Sequence, residues 1–372
     1  PHPIALPFMS DIDILAAGPE QKNTFTLLSR DKAFVSQHIG DMENAETLDH
    51  YERTIELYKR LFRIEPTLVA HDLHPEYLPT KYAHETGLPL VGVQHHHAHI
   101  VSVTAENAFD APVIGVALDG TGYGEDGTIW GGEILFGDWA GYQRLAHLEY
   151  VPMPGGAAAV RRPARMAVGA LLTCGLMDHP GAAPLRSRLT GGEEELLRTM
   201  VARRVNSPLT SSMGRLFDAV SALIGVRDDA AYEGEAAIEL EAIAHVGESG
   251  SYEFGFSDPS SDEPMRILIA PVLAAVLDDI DAGVPAATIS ARFHRAVVRV
   301  IVSLGLLAAE RTGTRDIALA GGVFMNRLVF GGAVRELSSA GLRVMTHGHL
   351  PVNDGAVSLG QAVVAWARRN EL

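Results

Sequence analysis

The first third of the chain alternates short apolar runs with polar and glycine-containing turns, a pattern that predicts a mixed sheet covered by helices. Three runs open it, "DILAAG", "NTFTLLS" and "KAFVSQ", and they predict a three-stranded antiparallel start. The next stretch, "NAETLDHYERTIELYKRLF", spaces its apolar residues by three and four and predicts an amphipathic helix that begins near Asn44. Two short apolar runs, "TLVAHDL" and "PLVGVQ", then flank a helix-compatible segment. The predicted order for the first hundred or so residues is therefore βββαβαβ.

From Pro112 the same order of elements starts again. The runs "PVIGVALDG", "TIWGGEILFGD" and "GYQRLAHLEYV" predict three strands, and residues 156–311 are largely helical in pattern. The chain then continues with the strand "RDIALAGG", the helix "FMNRLVFGGAVRELSSAG", the strand "LRVMTHG" and the helix "DGAVSLGQAVVAWARR". A βββαβαβ order used twice predicts two α/β lobes with a cleft between them. We assign residues 1–110 to the first lobe and 111–372 to the second, with a helical insertion at 156–311.

Composition places the chain among ordinary globular proteins. It has 372 residues, of which 47% are hydrophobic and 20% charged, enough for two domains or two lobes of one fold. No run of eighteen apolar residues and no secretion signal pattern is present, so we expect a cytoplasmic enzyme without a membrane partner. The net charge of -16, with no basic run, predicts no nucleic-acid partner. The first residue is Pro1 rather than Met, which is compatible with a fragment of a longer protein.

The sequence contains no motif that predicts a catalytic nucleophile. The single cysteine, Cys174, lies in the helix-like run "MAVGALLTCGLM", where a cysteine is more often a small buried hydrophobe than a nucleophile. The sequence contains no nucleophile elbow, no Walker lysine loop and no cysteine pair. These observations favour a protein that works by binding a nucleotide and a metal.

Four of the sixteen histidines lie within five positions, in the run "VQHHHAHI". If a helix begins near His95, then His95 and His99 stand one turn apart on the same face, and both imidazoles can meet at one cation. His96 and His97 then point elsewhere. Taken alone, such a pair more often caps a helix or bonds to local carboxylates. Its position at the carboxyl end of a strand, where open α/β sheets bind ligands, favours a metal site.

Two aspartates at other strand ends are candidates to complete that site. Asp119 ends the strand in "VALDGTGYGEDG", and Asp354 precedes the last helix in "PVNDGAVSLGQ". The simpler roles are a hairpin turn for Asp119 and a helix N-cap for Asp354. Two histidines with one or two carboxylates would make an open site for iron, zinc or manganese, with positions left for phosphate oxygens.

Other residues fit a nucleotide. Gly321 and Gly322 lie between a strand and a helix in "ALAGGVFMNRL", where backbone amides can bind an anion. Lys22 lies near the bend of the first hairpin and suits phosphate oxygens, although an exposed lysine is more often a solvated surface charge. Asp218, among apolar neighbours in "SSMGRLFDAVSALIG", either bonds locally or binds ribose hydroxyls.

Six motifs in order resemble one known family. They are "VQHHHAHI", "ALDGTGYGEDGTIWGGEIL", "NSPLTSSMGRLFDAV", "YEGEAAIELEA", "AGGVFMNRLV" and "VNDGAVSLGQA". Over essentially the whole chain, the sequence is similar to the C-terminal, TsaD/Kae-like domain of the HypF carbamoyltransferases, which are hydrogenase maturation factors. The wider family includes TsaD, which attaches threonylcarbamoyl to transfer RNA, and the antibiotic O-carbamoyltransferases. The resemblance implies the actin-like, sugar-kinase-like (ASKHA) fold.

The resemblance also implies a reaction and its participants. HypF-type enzymes transfer a carbamoyl group from carbamoyl-adenylate to the C-terminal cysteine of HypE, on the way to the cyanide ligands of nickel-iron hydrogenase. The implied cofactors are ATP or carbamoyl-adenylate and a divalent metal, iron or zinc, with magnesium as an alternative. A YrdC-like domain makes the adenylate in that family, and this chain does not contain one. We therefore expect this chain to bind ATP but not to make carbamoyl-adenylate.

Four other activities remain open at this point. Two share the family's chemistry, namely TsaD-like modification of transfer RNA and carbamoylation of a small molecule. The other two are an actin-like kinase and a nucleotide-binding scaffold without catalysis. Both would be expected to lack the histidine-bound metal.

Residue by residue, the resemblance implies two sets of positions. The implied metal ligands, which are also the implied catalytic residues, are His95, His99, Asp119 and Asp354. The implied nucleotide-binding residues are Lys22, Gly120, Thr121, Gly122, Asp218, Glu235, Gly321, Gly322 and Asn326.

Overall fold

A mixed six-stranded sheet forms the first lobe of the computed structural model, which describes residues 3–258 and 263–371. Its strands are β1 (Ile4–Ala5), β2 (Ile14–Ala16), β3 (Thr26–Ser29), β4 (Lys32–Val35), β5 (Leu68–Asp72) and β6 (Leu90–Val93). They lie in the order β1-β4-β3-β2-β5-β6; β2, β3 and β4 are antiparallel, whereas β5 runs parallel to both β2 and β6. The predicted antiparallel start and the βββαβαβ order are confirmed.

The second lobe repeats this arrangement around a larger sheet. Its strands are β7 (Val113–Tyr123), β8 (Ile129–Gly137), β9 (Tyr142–Leu148), β10 (Val151–Pro152), β11 (Leu209–Thr210), β12 (Gly255–Phe256), β13 (Met265–Leu268), β14 (Asp316–Ala320) and β15 (Arg343–Met345). The main path is β12-β13-β9-β8-β7-β14-β15, with β7, β8 and β9 antiparallel and β14 parallel to β7. The predicted helical middle is thus incomplete, because β11, β12 and β13 lie within 156–311 and belong to this sheet.

Helices cover both sheets. They are α1 (Ala45–Phe62), α2 (Leu78–Glu85), α3 (His95–Glu106), α4 (Ala157–Arg161), α5 (Pro163–Cys174), α6 (Ala183–Arg188), α7 (Glu193–Ala202), α8 (Met213–Leu223), α9 (Glu235–Ala242), α10 (Ala270–Asp281), α11 (Ala286–Thr312), α12 (Arg327–Ser339) and α13 (Val357–Arg368). The first of these begins as predicted, because the Asn44 side chain accepts a hydrogen bond from the Thr47 amide at 2.9 Å and caps the helix.

Helix α3 joins the lobes. Ala98 and Val101 belong to the apolar cluster of the first sheet, whereas Ile100 and Val103 pack in a cluster with strands of the second sheet. A helix that is apolar on more than one face is a buried helix, and all of its residues from 95 to 105 are buried.

The last helix does not follow the predicted division of the chain. That division places α13 in the second lobe, but its residues Leu359 and Val363 pack in one cluster with Ile14 and Val91 of the first sheet. It also lies directly on α3, since a Cβ added at Gly360 would be 1.8 Å from the carbonyl oxygen of Ala98. The packing therefore assigns α13 to the first lobe.

The remaining sequence expectations concern membranes and the cysteine. Among the described residues, no helix combines the length and the apolar character that crossing a membrane needs. The cytoplasmic location stays a prediction. Cys174 is partly buried at the end of α5, and burial raises the pKa of its thiol to about 12. The thiol stays protonated at neutral pH, which agrees with the structural role expected for it.

We expect the substitution Gly360→Ala to lower the free energy of unfolding by about 1 to 3 kcal/mol, because the added methyl group overlaps the Ala98 carbonyl and forces α3 and α13 apart. The matched control is Gly331→Ala in α12, where an added Cβ meets no described atom within 4 Å. Removing that helix-interior glycine should raise stability, by up to about 1 kcal/mol. Urea denaturation measures both, and equal effects of the two changes would contradict the close helix approach.

Candidate metal and nucleotide site

The two lobes bring the four predicted metal ligands together. His95 and His99 come from α3, Asp119 from β7, and Asp354 from the 3-10 turn before α13. The Asp119 carboxylate lies 3.0 Å from His99 Nε2 and 3.4 Å from His95 Nε2, and the Asp354 carboxylate lies 3.6 and 3.8 Å from the same two atoms. One ligand atom from each residue lies within 4.8 Å of the others, and all four residues are buried.

Local capping explains how α3 presents its histidines. The Gln94 side chain accepts a hydrogen bond from the His97 amide at 2.9 Å, so the helix begins at His95. His95 and His99 then face the same side, as predicted. His96 Nδ1 contacts the Gln94 amide group, and His97 Nε2 donates to the carbonyl of Asp138 at 2.7 Å, so these two rings point elsewhere.

The two aspartates are free of their simpler roles. The cap of the turn before α13 is Asn353, whose side chain accepts from the Gly355 amide at 3.1 Å, and the neighbouring Asp354 carboxylate therefore faces the histidines. Asp119 lies where the pairing of β7 with β8 shifts its register. Its Oδ1 accepts from the amides of Gly120 and Gly322 at 2.8 and 3.0 Å, which leaves Oδ2 directed at the imidazoles.

Asp72 supports the cluster, and the sequence patterns did not identify it. Its Oδ2 accepts from His95 Nδ1 at 2.9 Å, and its Oδ1 accepts from the His74 amide at 3.0 Å. This bond fixes the proton of His95 on Nδ1 and turns Nε2, which is buried without a hydrogen-bond partner among the described residues, toward the carboxylates. Asp72 ends β5, which pairs in parallel with β6, so the rule that strand ends meet could have found it.

The electrostatics of the cluster favour a cation. Burial lowers the pKa of both histidines, but Asp119 and Asp72 raise that of His95 well above its usual value, and Asp119 with Asp354 raises that of His99 above its usual value. Although burial disfavours its ionised form, the two histidines hold the pKa of Asp119 well below the usual range. A metal ion would take the place of the imidazole protons in this negative potential. Two nitrogens and two carboxylates, with a buried Nε2 that lacks a partner among the described residues, fit iron, zinc or manganese.

A cavity of about 510 Å³ adjoins this cluster, and Asp119 and Asp354 line both. Its charged lining residues are Lys22, Asp119, Arg215, Glu233, Glu241 and Asp354. Its larger apolar lining residues are Phe217, Tyr232, Ile238, Val323 and Met325. A mostly apolar pocket with a few charged groups is typical of a site for a nucleotide-sized ligand.

Five of the predicted nucleotide-binding residues line this cavity: Lys22, Gly120, Thr121, Gly322 and Asn326. Lys22 reaches it from the first lobe, and its Nζ lies 3.0 Å from Glu233. Burial alone would lower the pKa of Lys22, but the carboxylates of Glu233 and Asp354 raise it by more than burial lowers it. The pKa therefore lies above its usual value, and the ammonium group stays charged. Asn326 also caps α12, since its Oδ1 accepts from the amides of Leu328 and Val329.

Gly122, Asp218, Glu235 and Gly321 are not among the described lining residues of the cavity. A Cβ at Gly321 would lie 2.3 Å from the Leu118 carbonyl oxygen, and one at Gly122 would meet the His96 ring, so both glycines allow close packing. Their predicted contacts with a nucleotide stay predictions.

Asp218 and Glu235, the two acidic residues among these four, make contacts within the protein. Asp218 is 2% exposed and lies 3.2 Å from Arg215, and burial raises its pKa to about 6. The contact with Arg215 is an ion pair, and Asp218 Oδ2 is buried without a hydrogen-bond partner among the described residues, so binding of ribose hydroxyls stays a prediction. Glu235 accepts from the Ala231 amide at 2.6 Å, on the other side of the α9 start.

Glu233 and Arg215 are among the lining residues that the sequence patterns missed. Glu233, not Glu235, faces the cavity, because Gly234 adopts a left-handed conformation (φ 82°) that starts α9 and turns Glu235 back toward Ala231. Arg215 is only 2% exposed, and its Nε and Nη1 are buried without a partner among the described residues. Unpartnered donors on a cavity wall are groups that a ligand can satisfy.

Comparison with known proteins gives a consistent result. Residues 10–106 match the family model "HypF Kae1-like domain", and residues 115–361 match "Carbamoyltransferase, Kae1-like Domain, second subdomain". Carbamoyltransferase HypF2 of Cupriavidus necator is 40% identical over 95% of this chain and 46% of its own length. A carbamoyltransferase HypF homolog of the same organism is 36% identical over 97% of this chain and 93% of its own length.

Solved structures and a more distant relative complete the comparison. A full-length HypF in the phosphate- and nucleotide-bound form superposes with a TM-score of 0.94 at 40% identity, over 99% of this chain and 57% of that protein. A tRNA N6-adenosine threonylcarbamoyltransferase of Prochlorococcus marinus is 29% identical over 53% of this chain and 57% of its own length. The chain spans about half the length of the first curated relatives that it matches.

We expect Asp72→Asn to weaken zinc binding by about 10- to 100-fold, because the neutral side chain no longer polarises the His95 imidazole. The matched control is Asp49→Asn, on the exposed face of α1, which should leave affinity unchanged. Competition with a coloured chelator measures both affinities. A zinc affinity of Asp72→Asn equal to that of the parent protein would show that the cluster does not bind metal through His95.

Proposed function

Since this chain belongs to the HypF family of carbamoyltransferases, as its Kae1-like domain, we propose that it transfers a carbamoyl group from carbamoyl-adenylate to the C-terminal cysteine of HypE. The observation that carries the proposal is the meeting of His95, His99, Asp119 and Asp354 at the edge of a nucleotide-sized cavity. A HypF structure with bound nucleotide, similar over almost the whole chain, supports the assignment of the cavity.

In this proposal the cavity positions the adenylate. The ammonium group of Lys22 donates to phosphate oxygens, and the free donors of Arg215 supply further hydrogen bonds to the nucleotide. The apolar side chains of Phe217, Ile238 and Val323 provide contacts for the purine. Binding across both lobes would fix the mixed anhydride beside the four-residue cluster.

The cluster would supply the electrostatic part of the reaction. His95, His99, Asp119 and Asp354 would hold the metal, which when bound supplies positive charge next to the phosphate. Asp72 keeps the proton of His95 on Nδ1, so that Nε2 presents its lone pair to the site. Burial of the cluster excludes water, which would otherwise hydrolyse the reactive carbonyl.

The nucleophile is proposed to come from outside this chain. Cys174 lies in α5 with its thiol protonated, and it does not line the cavity. In the transfer, the partner's thiolate attacks the carbamoyl carbon, a carbon-sulfur bond forms, and the bond to the phosphate oxygen breaks. AMP leaves with the electron pair of that bond. The proton that the partner's thiol lost when it became the thiolate has gone to solvent. The adenylate itself is proposed to come from a YrdC-like domain.

The net charge weighs against the nearest alternative. A charge of -16 disfavours binding of transfer RNA, and the threonylcarbamoyltransferase that matches does so over only about half of the chain. Carbamoylation of a small molecule shares every step up to the acceptor, so only the identity of the modified product separates it.

We expect this chain, supplied with carbamoyl-adenylate from a separate YrdC-like domain, to add one carbamoyl group to the C-terminal cysteine of HypE. Intact mass spectrometry detects the adduct. A HypE variant with that cysteine changed to alanine is the control and should stay unmodified. An unmodified wild-type HypE beside a modified transfer RNA or a carbamoylated small molecule would overturn the proposal.

We expect Lys22→Met to weaken ATP binding by about tenfold, because the charged donor to the phosphates is lost while the length of the side chain is kept. The matched control is Lys81→Met, whose ammonium group pairs with Glu76 on the surface. Isothermal titration with ATP gives both dissociation constants. If the two variants bind ATP equally well, the cavity is not the phosphate site.

A further inference from the structure

A second concavity, of about 240 Å³, lies between α11 and α12. We call it the α11–α12 groove; Arg295, Arg327, Gly331, Gly332 and Arg335 line it, together with the loop 244–248. Two hydrogen bonds connect its lining to that of the nucleotide cavity: Asn326 Nδ2 lies 2.8 Å from His294 Nε2, and the Arg327 amide donates to Glu241 at 2.8 Å. None of the positions predicted from the sequence to bind metal or nucleotide lines this groove.

The groove is positively charged in an acidic protein. Among the described residues, neither Arg295 nor Arg327 forms an ion pair with a carboxylate, and the Arg295 guanidinium instead donates to the carbonyl of Glu248 at 2.8 Å. Arg335 has only a long contact of 3.6 Å to Glu336, and its side chain is 70% exposed.

Two acidic residues line the groove, Glu248 and Glu336, and the carboxylate of Glu336 lies 3.6 Å from Arg335. The carboxylate of Glu248 accepts from the Gly250 amide at 2.6 Å and lies 3.7 Å from Arg292, outside the groove. His245 adds another basic group to the lining. In a chain of net charge -16, arginines without carboxylate partners mark a local site for an anion.

Gly331 leaves the backbone of α12 uncovered at this surface. A glycine inside a helix costs about 1 kcal/mol relative to alanine, so it normally has a packing reason. Gly332 has one, because a Cβ there would lie 2.7 Å from the Val298 side chain. Gly331 has none among the described residues, since its Cβ would meet no atom within 4 Å. The backbone is therefore bare at an exposed point where the fold does not require it.

The spacing along α12 places this bare point between two arginines. Arg327, Gly331 and Arg335 follow one another at intervals of four, so they lie on the same side of the helix. The two arginines are about 12 Å apart along the axis, and their long side chains can approach one ligand from both ends. Arg295 faces the same space from α11.

We propose that the α11–α12 groove binds inorganic diphosphate. Guanidinium groups bind phosphate oxygens in pairs, and a diphosphate offers one phosphate group to each end of the Arg327–Arg335 stripe. The volume admits an anion of this size, and the bare backbone at Gly331 leaves room for its bridging oxygen. The inference does not rest on the proposed function, because the groove and the nucleotide cavity share no lining residue among those described.

Isothermal titration with inorganic diphosphate, in the absence of divalent cations, tests the proposal on the whole chain. We expect Arg327→Gln and Arg335→Gln each to weaken binding by about tenfold. Gly331→Leu should abolish it, because the side chain fills the open space. Leucine favours helix, so this variant should fold, and circular dichroism checks that it does. The two arginine substitutions are at exposed positions and decide the question on their own if it does not.

Two controls locate the ligand. Arg299→Gln changes an exposed arginine one turn beyond Arg295 on α11, outside the groove, and should leave affinity unchanged. Lys22→Met alters the nucleotide cavity and should also leave groove binding unchanged.

Three results would overturn the proposal. Equal weakening by Arg299→Gln and the groove variants would mean an adventitious ion only. Loss of binding in Lys22→Met alone would place the diphosphate in the nucleotide cavity. Displacement of diphosphate by a short acidic peptide that binds more tightly would make the groove a protein-docking surface instead.

Discussion

Burial of α3 between the two sheets is the constraint on which the rest of the site depends. The helix is enclosed by α13 and the first sheet on one side and by the second sheet on the other, yet it carries four histidines. A buried polar group without a partner costs several kcal/mol, so each imidazole needs a partner in the interior. His96 Nδ1 contacts Gln94 and His97 Nε2 donates to a backbone carbonyl, whereas His96 Nε2 is buried without a partner among the described residues. His95 and His99 instead face carboxylates that other elements supply.

Those carboxylates connect the histidines to the cavity. Asp119 accepts from the Gly322 amide with one oxygen and faces the imidazoles with the other, and Gly322 itself lines the cavity. The turn that would bind a nucleotide is thus fixed by the same side chain that would bind the metal. A shift of either would move both.

The features that the sequence predicted are those that depend on local spacing. The start of α1 follows from Asn44, and the shared face of His95 and His99 follows from helical periodicity once Gln94 caps the helix. The expectation that Asp119 and Asp354 lie at strand ends brought them to the site, but the structure places Asp119 inside β7 and Asp354 in the 3-10 turn before α13. The order of strands and helices was also predictable, because apolar runs and turns repeat in each half.

The features that were missed depend on contacts between distant residues. Asp72 matters only because β5 pairs with β6, and Glu233 faces the cavity only because Gly234 turns the chain before α9. The three strands inside the helical middle, β11, β12 and β13, are short, and β13 is held by its pairing with β9 rather than by its own pattern. Lobe membership of α13 likewise follows from packing with Ile14 and Val91, which no local pattern records.

The packing of α13 also sets an order of events during protein synthesis. The Gly18 amide donates to the side chain of Gln361, a residue 343 positions later, and apolar residues of the same helix close the core of the first sheet. At ribosomal rates of 5–20 residues per second, that helix emerges roughly 17 to 70 s after the strands that it covers. The nascent first lobe meanwhile exposes apolar surface of the kind that chaperones bind. The cluster of His95, His99, Asp119 and Asp354 can therefore assemble only after the last helix has been synthesised.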